Sequence, residues 1–110
     1  MSEEIYARMH RLAKDYAEAE AKRIYLVEFR KSKKSMLMKA AEVANPGMSA
    51  AAQEREAYAD QEYQNLLKGL ELATQKAIEA KWELTIIQTQ FESWKVKKWG
   101  DRIEARNLGG

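Results

Sequence analysis

Of 110 residues, 45% are hydrophobic and 33% charged, and the formal net charge of +2 is too small by itself to argue for nucleic acid. One proline and five glycines are too few for a fold of turns and short strands; the lack of cysteine excludes disulfides and thiolate metal sites and fits a reducing compartment. No run approaches the roughly 20 apolar residues that span a bilayer, and Ser2-Glu3-Glu4 is not the start of a signal peptide, so a cytoplasmic protein with no membrane partner is expected.

Residues 3 to 44 hold neither proline nor glycine and read as one helix, about 60 Å long at 1.5 Å per residue. Ser2 is its expected N-cap, and Glu3 and Glu4 complement the helix dipole. Its apolar seam is irregular: Ile5, Met9, Leu12, Tyr16, Ala19, Leu26, Leu37, Ala40 and Ala44. Asn45-Pro46-Gly47 is the one strong breaker, which places a hairpin turn at 45–49. Ser49 suits the cap of a short helix over about 50–58, and Asp60 that of a long helix over about 61–99. Gly100 and Asp101 offer a stop or bend, leaving 100–110 as a tail that adds a turn or two before fraying.

The second long helix carries the clearest pattern. Tyr63, Leu66, Leu70, Ala73, Ala77, Ala80, Leu84, Ile87, Phe91 and Trp94 step by three and four without a polar interruption. That spacing gathers all ten on one stripe, because 3.6 residues complete a turn. The expected fold is all-α: a long antiparallel helical hairpin, coiled-coil-like, forming a single domain over residues 1–110. Folding back at Pro46 brings large Tyr25, Leu26 and Phe29 toward small Ala73, Ala77 and Ala80.

Two helices do not use all the apolar residues. Tyr25 and Val27 on the first helix, and Trp82 and Ile86 on the second, lie off the seam and read as an oligomer or partner interface. A dimer or larger helical bundle would cover them. The alternative is that residues 49–59 and the C-terminal tail fold over that surface.

Catalysis has little to stand on: His10 is the one histidine, no acidic cluster has metal-ligand spacing, and no glycine-rich phosphate loop is present. No enzyme activity, cofactor, metal or small-molecule substrate is expected. The basic clusters are the better signal. Arg30, Lys31, Lys33 and Lys34 crowd one stretch, and Lys95, Lys97 and Lys98 fall between Trp94 and Trp99. Cations neutralise phosphates while rings stack on bases, so Trp99 is the candidate stacking residue and the seven cations the candidate phosphate contacts for single-stranded DNA. The plain alternative is a solvated helix face, with Trp94 in the core and Trp99 anchoring the helix end.

The segments "YARMHRLAKDYAEAEAKRIYLVEFRKSKKSMLMKAAE", "AAAQEREAYADQEYQNLLKGLELATQKAIEAKWEL" and "FESWK" cover most of the chain. In them the chain resembles short uncharacterised proteins of bacteriophages and prophages, found among recombination and replication genes. The resemblance implies a bacterial host cell and an accessory role in phage DNA recombination or replication, with single-stranded DNA or a recombination protein as partner. It implies no catalytic residue. Two other functions fit the same residues: a protein-binding inhibitor of a host nuclease or defence complex, and a coiled-coil component of phage assembly.

Overall fold

Three helices and no strand make up the computed structural model, which describes the backbone of residues 2–109 and the side chains of 3–108. They are α1 (Ser2–Ala44), α2 (Ala50–Ala59) and α3 (Gln61–Gly109), and the fold is an all-α helical hairpin. The Ser2 side chain, expected to cap α1, lies outside the described residues.

The turn follows from its sequence. Pro46 fixes its own φ, Gly47 takes φ +89°, and the Met48 N–H donates to the Asn45 carbonyl at 3.1 Å. Positive φ at the third position is the reason glycine stands there. Ser49, in extended backbone, accepts a hydrogen bond from the Ala52 N–H at 3.2 Å and so starts α2. Asp60, also extended, ends α2 and starts α3: its Oδ1 accepts from the Glu62 N–H at 2.8 Å. Two helices are therefore joined by a single residue.

At its far end α3 departs from the sequence reading. The helix does not stop near residue 99; it runs through Gly100 and Asp101 to Gly109. Gly47 is the one described glycine with positive φ, so Gly100 keeps helical backbone. A lone glycine costs a helix only about 1 kcal/mol relative to alanine, and Lys97, Lys98, Arg102, Glu104, Ala105 and Arg106 around it all favour helix.

The chain gathers into two compact units, Met1–Ala17 with Ile78–Gly110, and Glu18–Ala77. In the second of these, Tyr63, Ala73 and Ala77 of α3 and Ala57 of α2 are buried. Phe29 lines a shallow groove with Glu62, Asn65 and Leu66 rather than lying against the alanines. Tyr25 is 64% exposed, so of the three large residues only Leu26 turns inward. α2 folds back on α1, with Lys34 bonded to Glu54 at 3.1 Å.

In the other unit, Leu12 of α1 and Ile87 and Phe91 of α3 are buried. The Phe91 ring lies 4.9 Å from Tyr6 and 5.8 Å from Trp94, centroid to centroid. Tyr6 sits one turn into α1, so α3 passes the start of α1 a turn beyond Phe91. Every described residue from Lys95 to Leu108 is exposed. This stretch is solvent-exposed helix.

Each of the ten seam positions of α3 is buried or half-buried. The α1 seam is more regular than its apolar residues suggest, because Arg23, Arg30 and Lys33 are half-buried and continue it between Ala19 and Leu37. Ala40 and Ala44 are exposed and drop out of it.

Candidate nucleic-acid interface

α3 beyond Phe91 carries five cations, Lys95, Lys97, Lys98, Arg102 and Arg106, against Glu92, Asp101 and Glu104. Lys95, Lys98 and Arg102 are spaced i, i+3 and i+7, which stacks them along one face of a helix, and Arg106 extends the row. Trp94 and Trp99 stand on either side of that row. Trp94, Lys95, Lys98, Trp99, Asp101, Arg102 and Ala105 together line one shallow groove. Trp99 is 59% exposed and Trp94 half-buried, so both present ring surface. Lys95 is partly committed, 3.0 Å from Glu92 and 5.1 Å from the centre of the Phe91 ring. No ion pair among the described residues engages Lys97, Lys98, Arg102 or Arg106. Lys97 points away from the groove, which it does not line.

The α1 cluster is a different object. Lys33 keeps only 19% of its side chain exposed and bonds Glu62 at 2.6 Å. Lys34 bonds Glu54 and lies 4.8 Å over the Tyr58 ring. Arg30 is half-buried, and the exposed Lys31 sits 3.3 Å from Glu28. The four cations thus face two directions, and three of them have a carboxylate partner. The cause is their place on the helix: Leu26, Arg30, Lys33 and Leu37 are three and four apart, so the aliphatic stems cover the seam while carboxylates meet the heads. The row on α3 belongs to the other compact unit, so the candidate DNA contacts of the sequence reading do not form one surface within a unit.

Lys34, Glu54 and Tyr58 form a small network. The Tyr58 hydroxyl donates to Glu54 Oε1 at 2.9 Å, and the Lys34 ammonium donates to the same oxygen. Glu54 is held below its ordinary value by Tyr58 first and Lys34 second, and Lys34 is raised by Tyr58 first and Glu54 second. A carboxyl depressed in the folded state stabilises above its unfolded value, about 4.3, and that contribution is lost as pH falls through the lower folded value. Melting temperature followed from neutral pH into acid should therefore fall more steeply for the parent than for Glu54→Gln. Equal slopes would show that the network contributes nothing.

Of the candidate partner-interface residues, Tyr25, Trp82 and Ile86 are exposed, at 64%, 62% and 55%. Tyr25 stacks on Phe29 at 5.9 Å. Val27 is half-buried beside Leu26, at the edge of the seam, and is not part of an open strip. Within their own unit, the end of α3 does not cover Trp82 or Ile86. Among the described residues no three His, Asp or Glu side chains lie close enough to hold a metal ion, and no helix is long and apolar enough to cross a membrane.

The sequence reading missed the partners of Lys33 and Lys34, and the one signal for them was the three–four spacing that runs through Arg30 and Lys33. Among known proteins, no family model, curated protein or solved structure matches the chain.

Proposed function

We propose that the chain is a non-enzymatic accessory protein of phage DNA recombination or replication, acting in the bacterial cytoplasm. It holds single-stranded DNA along the last four turns of α3. One observation carries this reading: a row of exposed cations, mostly without acidic partners, runs between the half-buried Trp94 and the exposed Trp99 along the end of α3. A helix committed only to the hairpin would have no use for that surface. Phosphates would lie along Lys95, Lys98, Arg102 and Arg106, and Trp99 would stack on a base, with about 1–3 kcal/mol for each stacked base. The α1 cations drop out of the site because carboxylates already meet most of them. The phage setting rests on the resemblance of the segments quoted above.

Titration with a short single-stranded oligonucleotide at low salt tests it. Tryptophan emission should be quenched, and the affinity should fall as salt rises, by roughly 0.7 in the log–log slope for each phosphate contact. No binding at low salt, or binding insensitive to salt, overturns the reading. A complex that forms instead with a purified single-strand-annealing protein would move the contact from DNA to its carrier.

A further inference from the structure

A second surface on α3 points to a different partner. Trp82, Ile86, Thr89, Ser93, Val96 and Gly100 are spaced four, three, four, three and four apart, and all six are exposed and uncharged. Trp82 and Gly100 are 18 residues apart in sequence, which is five full turns, so the row holds one line along the helix. It lies away from Leu84, Ile87 and Phe91, which face α1. We infer that this face pairs with the same face of a second copy of the chain, running antiparallel, with Trp82 against the partner's Gly100, Ile86 against the partner's Val96 and Thr89 against the partner's Ser93.

Three features bear on the pairing: size selects that direction, and polarity and charge fit a second copy as the occupant. Gly100 has no side chain, and nothing lies within 4 Å of where a Cβ would be, so its turn is an open hole. The Trp82 indole is the largest knob on the row. Antiparallel pairing puts knob on hole at both ends, whereas parallel pairing puts glycine on glycine and indole on indole, leaving one layer hollow and another overfull.

The second is polarity. Thr85 and Thr89 donate their hydroxyls to the carbonyls of Lys81 and Thr85, each at 2.9 Å. Burying Thr89 therefore strands no donor, and its methyl is left to face the partner.

The third is charge. In this register Glu83 meets the partner's Lys97, twice by symmetry. Both are exposed, and no described ion pair engages either. Glu92, which approaches its own copy near the axis, already has Lys95 at 3.0 Å. The row of Lys98 and Arg102 points to another side of the helix, so pairing leaves those cations open.

Three measurements on the full chain test the pairing. Light-scattering mass should rise from one chain to two across about a hundredfold range of concentration, and Trp82→Glu should weaken pairing at least about a hundredfold. Oligonucleotide binding per chain should survive in that variant, so the pairing can fail without the DNA reading, and the reverse. Glu83→Lys or Lys97→Glu alone should weaken pairing several-fold, and the two together should restore it. In a parallel pair the double variant would instead set the new carboxylate at position 97 against the partner's Glu92 and stay weak. Because the chain has no cysteine, Ile86→Cys chains mixed with Val96→Cys chains should cross-link while neither does so alone. A single-chain mass at every concentration, or Val96→Cys cross-linking to itself, overturns the inference. So does a doubled mass with no mixed cross-link.

Discussion

On the proposed function, replacing Lys95, Lys98 and Arg102 together by glutamate should lower affinity for single-stranded DNA at low salt by at least about a hundredfold and reduce the log–log salt slope by about 2. The slope follows from the count, because each lost phosphate contact removes about 0.7 counterion from the balance on a single strand. The affinity falls further than three lost contacts imply, since the new carboxylates repel the strand. All three side chains are solvent-exposed, so the reversal should leave the hairpin's melting temperature almost unchanged. Lys33→Glu gives the opposite result. It sets two carboxylates together where Lys33 now bonds Glu62, and it costs stability while leaving oligonucleotide affinity near the parent's. A triple variant that binds like the parent would remove the groove from consideration.

Phe91→Ala has the largest expected effect on folding. Phe91 is 7% exposed and touches rings on both sides, Tyr6 across the hairpin and Trp94 along α3. Truncating a buried phenylalanine costs roughly 3–5 kcal/mol, from lost transfer energy and the cavity left behind. Few other buried side chains share the load, with Leu12 and Ile87 the other large buried residues described in the same unit. At several degrees per kcal/mol for a domain of this size, the melting temperature should drop by more than about 10 °C in far-UV ellipticity. Trp94 emission should shift to the red in the same variant before heating. A change of only a degree or two would mean that the two helices are not held together at this ring cluster.

What was legible in the sequence is what local spacing controls. The α3 seam from Tyr63 to Trp94 could be read because a three–four alternation of apolar residues has one outcome on a helix, a single stripe. Ser49, Asp60 and the Asn45-Pro46-Gly47 turn were equally readable, since each acts on its own few backbone groups. The partners of Lys33 and Lys34 were missed for a nonlocal reason. These carboxylates stand 29 and 20 residues away in sequence, on α3 and α2. Cationic side chains at seam positions also look solvated when judged by composition. Gly100 was overweighted as a breaker, because the cost of one glycine is smaller than what its helix-forming neighbours contribute together. Of the candidate site, the half on α3 could be seen as lysine between tryptophans. The carboxylates that meet Lys33 and Lys34 on α1 were visible only once the chain was folded.

The stretch of α3 past the start of α1 has one further consequence. A dozen residues of isolated helix are marginal in water, because nucleation is costly and no packing rewards it. Here the preceding turns supply the nucleus, so on warming helicity should be lost from the C-terminal end inward toward Phe91 rather than everywhere at once. A strand lying across Lys98, Arg102 and Arg106 would suppress that decay, and part of its attraction would go into straightening the chain beneath it. Grip would thus weaken on warming well before the two arms part, leaving an intact clasp with a slack fingertip.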